Sequence, residues 1–188
     1  MKMWGIALLT LCIGHLQSAK AQSTWHGLRF GMSRSEASSS MEANGLPLKA
    51  SDTSILYTIT DFDYHSSRGQ SIPFGVSLTF AEDRLSEVTL TMDFAAMSKF
   101  VPSPNTAGVI ALDGPLMEGE LLLKYGKATK ESSSECDDPM TAYLNQESSV
   151  CEATWALPDQ NVSLLWSFSS KAAPNEIQIY YRPTPHDL

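Results

Sequence analysis

The familiar signatures of catalysis are missing from these 188 residues. The chain has no Gly-x-Ser-x-Gly elbow, Ser-x-x-Lys pair, His-Glu-x-x-His helix or glycine-rich phosphate loop, so the usual nucleophile, metal and nucleotide chemistries lack their residues. Histidine is scarce. Beyond His15 near the N-terminus, His26, His65 and His186 lie in separate segments with no i,i+4 partner, so no metal centre is expected. Positive charge is scarce too, with 13 Lys and Arg against 21 Asp and Glu. Nucleic acid and anionic membrane surfaces, which reward clustered cations, are poor partners for such a chain. Long apolar runs are absent: the longest, residues 3–13, falls well short of the ~20 residues needed to cross a bilayer.

That short run does have a meaning. Lys2 precedes it, and Ser18-Ala19-Lys20-Ala21 follows with small residues at 19 and 21, so residues 1–21 have the layout of a secretory signal peptide cleaved after Ala21. Cys12 follows Leu11 rather than a small residue, so it belongs to the apolar stretch of the leader rather than to a lipidation site. Export places the mature chain in the periplasm or outside the cell, with no transmembrane segment. Losing Lys2 and Lys20 from the 13 basic residues takes the net charge from −8 to −10. Of the three cysteines only Cys136 and Cys151 then remain, an even pair in an oxidising compartment, and they are expected to form a disulfide.

The mature chain opens its regular structure at Gly31-Met32-Ser33-Arg34-Ser35-Glu36. Ser33 and Glu36 have capping-box spacing, Ala37 and Met41 share one helical face, and Asn44-Gly45-Leu46-Pro47 is a stop. Residues 55–64 read as a strand whose alternation changes phase, which calls for a bulge near Asp61. Val76, Leu78 and Phe80 alternate with polar residues, as do Val88, Leu90 and Met92, and Glu82-Asp83-Arg84 joins them as a hairpin. The pattern dissolves over residues 94–112. A second helix is expected with Pro115 in its first turn, Leu116, Met117, Leu121 and Leu123 as its apolar surface and Gly126 as its stop. Residues 131–150 form a polar stretch, and three alternating strands follow.

The order helix, strand, strand, strand therefore occurs twice, with Gly45 answering Gly126 and Val76 to Phe80 answering Val162 to Trp166. The expected fold is α+β: two similar halves, residues 22–93 and 113–188, each a helix followed by a three-stranded antiparallel meander, with the helices on one sheet face. The helix opening, the Asn44-Gly45-x-Pro47 stop and the strands after them resemble the small unit of SmpA-type outer-membrane assembly lipoproteins. Doubled in one chain, the unit resembles the β-lactamase inhibitory protein family. The chain departs from these families in having no lipidated cysteine and no Gly-x-Ser-x-x-Glu opening on the second helix. The resemblance implies a fold and a tendency to bind proteins, and identifies no inhibitory residue.

If the apolar strand residues face the helices, the other face is polar, and its large side chains Tyr64, Leu165 and Tyr180 are the candidates for contact with a protein partner. The same face is equally the wet side of an antiparallel sheet. Asp61 with Asp63, and Glu135 with Asp137 and Asp138, lack the spacing of a calcium loop and are read as solvated acids. The sequon at Asn161 falls in an expected strand and is discounted. The expected function is an exported, non-catalytic protein-binding module, with inhibition of an extracytoplasmic enzyme as one form of it. A structural or envelope-assembly protein is the alternative, and an enzyme with an unrecognised site the third reading. No catalytic residue and no cofactor is expected.

Overall fold

The computed structural model describes residues 25–50, 56–65, 71–94, 106–131, 136, 138–168 and 175–184; for 50, 56–65 and 106 the description is of backbone only. The leader, Glu135, Asp137 and His186 lie outside the described residues. The elements in chain order are α1 (Arg34–Ala43), β1 (Lys49–Ala50), β2 (Leu56–His65), β3 (Ser71–Ala81), β4 (Arg84–Met92), α2 (Thr106–Tyr125), β5 (Lys130–Glu131), α3 (Pro139–Leu144), β6 (Ser149–Ala156), β7 (Gln160–Phe168) and β8 (Glu176–Pro183). The architecture is α+β, built on one antiparallel sheet ordered β1-β2-β3-β4-β8-β7-β6-β5. Six strands are long and the two outermost have two residues each.

Alternation dictates the sheet. Along β3, β4, β6, β7 and β8 every second side chain is buried, and these residues join in one core that includes Phe74, Leu78, Leu90, Trp155, Trp166 and Ile179. Each fully buried large side chain contributes about 1.5–3 kcal/mol, so this single face outweighs any local preference. The expected bulge in β2 is present, as a register shift between Ile59 and Phe62. β4 pairs with β8 from Val88↔Tyr181 to Thr91↔Gln178, which joins the two meanders edge to edge.

The helices cover the apolar face. On α1 the Ser33 N–H donates to Glu36 Oε2 at 2.8 Å and the Glu36 N–H to Ser33 Oγ at 3.3 Å, so the capping box is complete. The stop is a Schellman motif: Gly45, at φ +73, donates to Glu42 O, and Leu46 N–H donates to Met41 O. Ala37 and Met41 are buried, and the Arg34 guanidinium lies 5.6 Å from the Phe80 ring centre. Trp25 and Leu28 are buried and anchor the segment that leads into α1.

Three expectations need correction. Within residues 94–112, expected to be irregular, positions 106–112 are helical, so Pro115 stands inside α2 rather than in its first turn. The spacing of buried Ala107, Ile110 and Ala111 supports that extra turn, but Gly108 and Gly114 mask it because glycine ordinarily weakens helices. Here both are packing positions: a Cβ at Gly108 would meet Tyr143 at 3.3 Å. Leu123, expected to supply apolar surface, points outward at 80% exposure, whereas Met117 and Leu121 are buried. Residues 131–150 include the end of β5 and the helix α3, capped by Asp138, whose carboxylate accepts from Thr141 N–H at 3.1 Å. The second half thus carries a helix, α3, with no counterpart among the described residues of the first.

Candidate functional site

The face of the sheet turned away from the helices is polar, with Ser77, Thr79, Thr89, Thr91, Ser163 and Thr154 half-buried along it. The registers place three large side chains on it in a diagonal. Tyr180 pairs with Ser163, Leu165 pairs with Gln178 on one side and Glu152 on the other, and Val150 pairs with Ser167. Each step from β8 to β7 to β6 therefore moves two residues along the strand, leaving Tyr180, Leu165 and Val150 as successive diagonal neighbours ~7–8 Å apart. Val150 is 66% exposed. Glu152 and Glu176 lie on either side of the diagonal.

At its upper end the diagonal is held in place by a polar network. The Tyr180 hydroxyl donates to Gln178 Oε1, and the Arg182 guanidinium sits 4.7 Å from the Tyr180 ring centre. The same Arg182 donates from Nε to Glu87 Oε2, while Thr89 Oγ1 donates to Glu87 Oε1 at 3.0 Å. Partial burial, reinforced by the negative charge of Glu176, raises the Tyr180 pKa above the ordinary phenol value. A rigid aromatic ring clamped by an arginine loses little conformational freedom on contact with another surface.

The sequence-selected residues fare differently. Leu165 and Tyr180 come together as diagonal neighbours. Tyr64 does not join them: the register carries Thr58, through Ser77 and Thr89, into the row of Tyr180, while beyond the bulge Tyr64 pairs with Ile72, a buried residue of the apolar side, so its register position is not on the outer face. The Tyr64 side chain lies outside the described residues, as do those of Asp61, Asp63 and His65. Cys136 and Cys151 are joined as expected, with Cα atoms 5.8 Å apart. Sequence reasoning missed Val150 and Arg182. Val150 was recoverable, because Val150, Glu152 and Thr154 continue the outward alternation of β6 by one residue before the cysteine.

No family model, curated protein or solved structure matches the chain.

The remaining features are less suited to recognition or chemistry. An open groove of about 280 Å³ runs between α2 and β6, lined by Pro115, Glu118, Leu122, Ala128, Glu131 and Trp155, with no nucleophile and base side by side. Among the described residues no group of three or more His, Cys, Asp or Glu is placed to hold a metal ion. His26 is held below its ordinary pKa by burial and by the Lys124 charge, and burial raises that of Asp113. Neither group contributes to the other's shift, so they form no acid–base pair. No described helix is long and apolar enough to cross a membrane.

Proposed function

We propose that this chain is an exported, non-catalytic protein-binding module that contacts its partner through the outer sheet face. The diagonal of Tyr180, Leu165 and Val150, set among hydroxyls and carboxylates, carries this reading. Interfaces favour such an arrangement, with a few large apolar or aromatic side chains inside a polar surround. The family resemblance of the α1 motif points to the same class, with inhibition of an extracytoplasmic enzyme as the form it implies. Cofractionation with the outer membrane would instead favour the envelope-assembly reading.

The binding reading is tested by changing the diagonal. Tyr180→Ala combined with Leu165→Ser is expected to weaken partner capture from an extracytoplasmic extract by roughly tenfold or more. The unfolding curve should change little, because both side chains point away from the packed core. Unchanged capture would move the site to residues 131–150. A turnover activity abolished by changing one carboxylate or histidine would overturn the binding reading.

Export is part of the proposal. The disulfide is compatible with an oxidising compartment, and the A-x-A residues Ala19 and Ala21 support cleavage before Gln22. N-terminal sequencing of protein recovered from outside the cytoplasm is expected to begin at Gln22; an intact Met1 would refute cleavage.

We also infer that the two halves are versions of one unit. The sheet order supports this, since each meander begins outside and ends on a strand of the central β4–β8 pair. An experimental structure in which β3 and β7 cannot be superposed with α1 and α2 in equivalent places would refute it.

A further inference from the structure

Helix α2 is apolar on two sides. Its inner side is buried through Ala107, Ile110, Ala111, Met117 and Leu121. Leu112, Leu116, Gly119 and Leu123 recur at spacings of four, three and four residues, which at 100° per residue sets them on the opposite side of the helix. This outer stripe is uncovered at its ends, where Leu112 is 58% and Leu123 80% exposed. At Gly119 an added Cβ would meet nothing within 4 Å. A helix with apolar residues on both sides is ordinarily covered on both.

The stripe is also charged in opposite senses at its two ends. Asp113 stands beside Leu112 and Lys124 beside Leu123, and by helical spacing both lie on the same flank. We propose that the outer stripe of α2 pairs antiparallel with the same stripe of a second copy of this chain. Leu112 of each copy packs against Leu123 of the other, Gly119 near the centre lets the two backbones approach, and Asp113 of each copy faces Lys124 of the other. Such a contact is closed and two-fold, each residue pair occurring twice. In a parallel two-fold pair the flanks carrying Asp113 and Lys124 would lie on opposite sides of the contact, so only the antiparallel arrangement brings the two charges together. The stripe is about 17 Å long, at the small end of specific interfaces, and the association is correspondingly weak.

Sedimentation velocity of the purified protein, over about a hundredfold concentration range reaching submillimolar, tests this. A monomer–dimer equilibrium is expected at the upper end. Leu123→Glu should weaken dimerisation roughly tenfold or more without changing the unfolding curve, since Leu123 makes little contact with its own chain. Lys124→Glu should weaken it as well, and adding Asp113→Lys to Lys124→Glu should restore it. A protein that stays monomeric throughout, a dimer indifferent to Leu123→Glu, or a charge exchange that fails to restore association in a folded double variant would each overturn the proposal.

Discussion

The indole of Trp166 lies so close to the backbone of Gly114 that a Cβ at that position would come within 2.5 Å of Cδ2. Helix α2 and strand β7 meet at this contact. In an ordinary helix interior Gly→Ala stabilises by about 1 kcal/mol. Here the added methyl must displace a fully buried ring in a close-packed core. Gly114→Ala is therefore expected to destabilise by about 1–3 kcal/mol in urea unfolding, opposite in sign to helix propensity. Gly119→Ala, where a Cβ meets nothing, should be neutral or stabilising. Equal effects at both positions would refute the packing argument.

The Cys136–Cys151 bridge spans a sequence separation of 15 and ties the segment just before α3 to the buried side of β6. Restriction of the unfolded chain predicts that reduction, or the Cys136→Ala, Cys151→Ala double variant, costs about 3 kcal/mol. Urea unfolding with and without reductant measures it. A loss below ~1 kcal/mol, or two free thiols in protein from its native compartment, would contradict this account.

Two carboxylates cap helices and lie below their ordinary pKa. Glu36 is lowered chiefly by the Ser33 N–H and then by its hydroxyl, and Asp138 chiefly by the Thr141 side chain and then its N–H. Because the folded pKa values are depressed, their contribution is present above the unfolded carboxylate range near pH ~4 and is lost as pH falls through the folded values. Thermal unfolding from about pH 6 to 3 should therefore show wild type losing stability faster than a Glu36→Gln, Asp138→Asn variant. Parallel slopes would show that the caps carry no such linkage.

Much of this architecture follows from local pattern. Ser33, Glu36 and Gly45 specify the ends of α1 because a cap is a contact between residues a few positions apart. Val76-Ser77-Leu78-Thr79-Phe80 and Val162-Ser163-Leu164 specify half-buried strands because period-two alternation states which face is wet. The phase change that places the β2 bulge, and the cysteine pair, are legible for the same reason. The outward face carrying Leu165 and Tyr180 is legible in the same alternation.

Other features depend on contacts between distant residues. Nothing local reveals that Gly108 and Gly114 permit close packing rather than breaking a helix, since that requires knowing that Tyr143 and Trp166 stand over them. The order β4 beside β8 sets Thr89 against Tyr180, and the β6–β7 and β7–β8 registers bring Val150, Leu165 and Tyr180 into one diagonal. The β2–β3 register, shifted by the bulge, sets Tyr64 opposite the buried Ile72 rather than on the outer face. Alternation in a strand determines which face a side chain takes, whereas register, which depends on long-range pairing, determines its neighbours there. The polar face was thus a property of the sequence, and the candidate site on it a product of the tertiary fold.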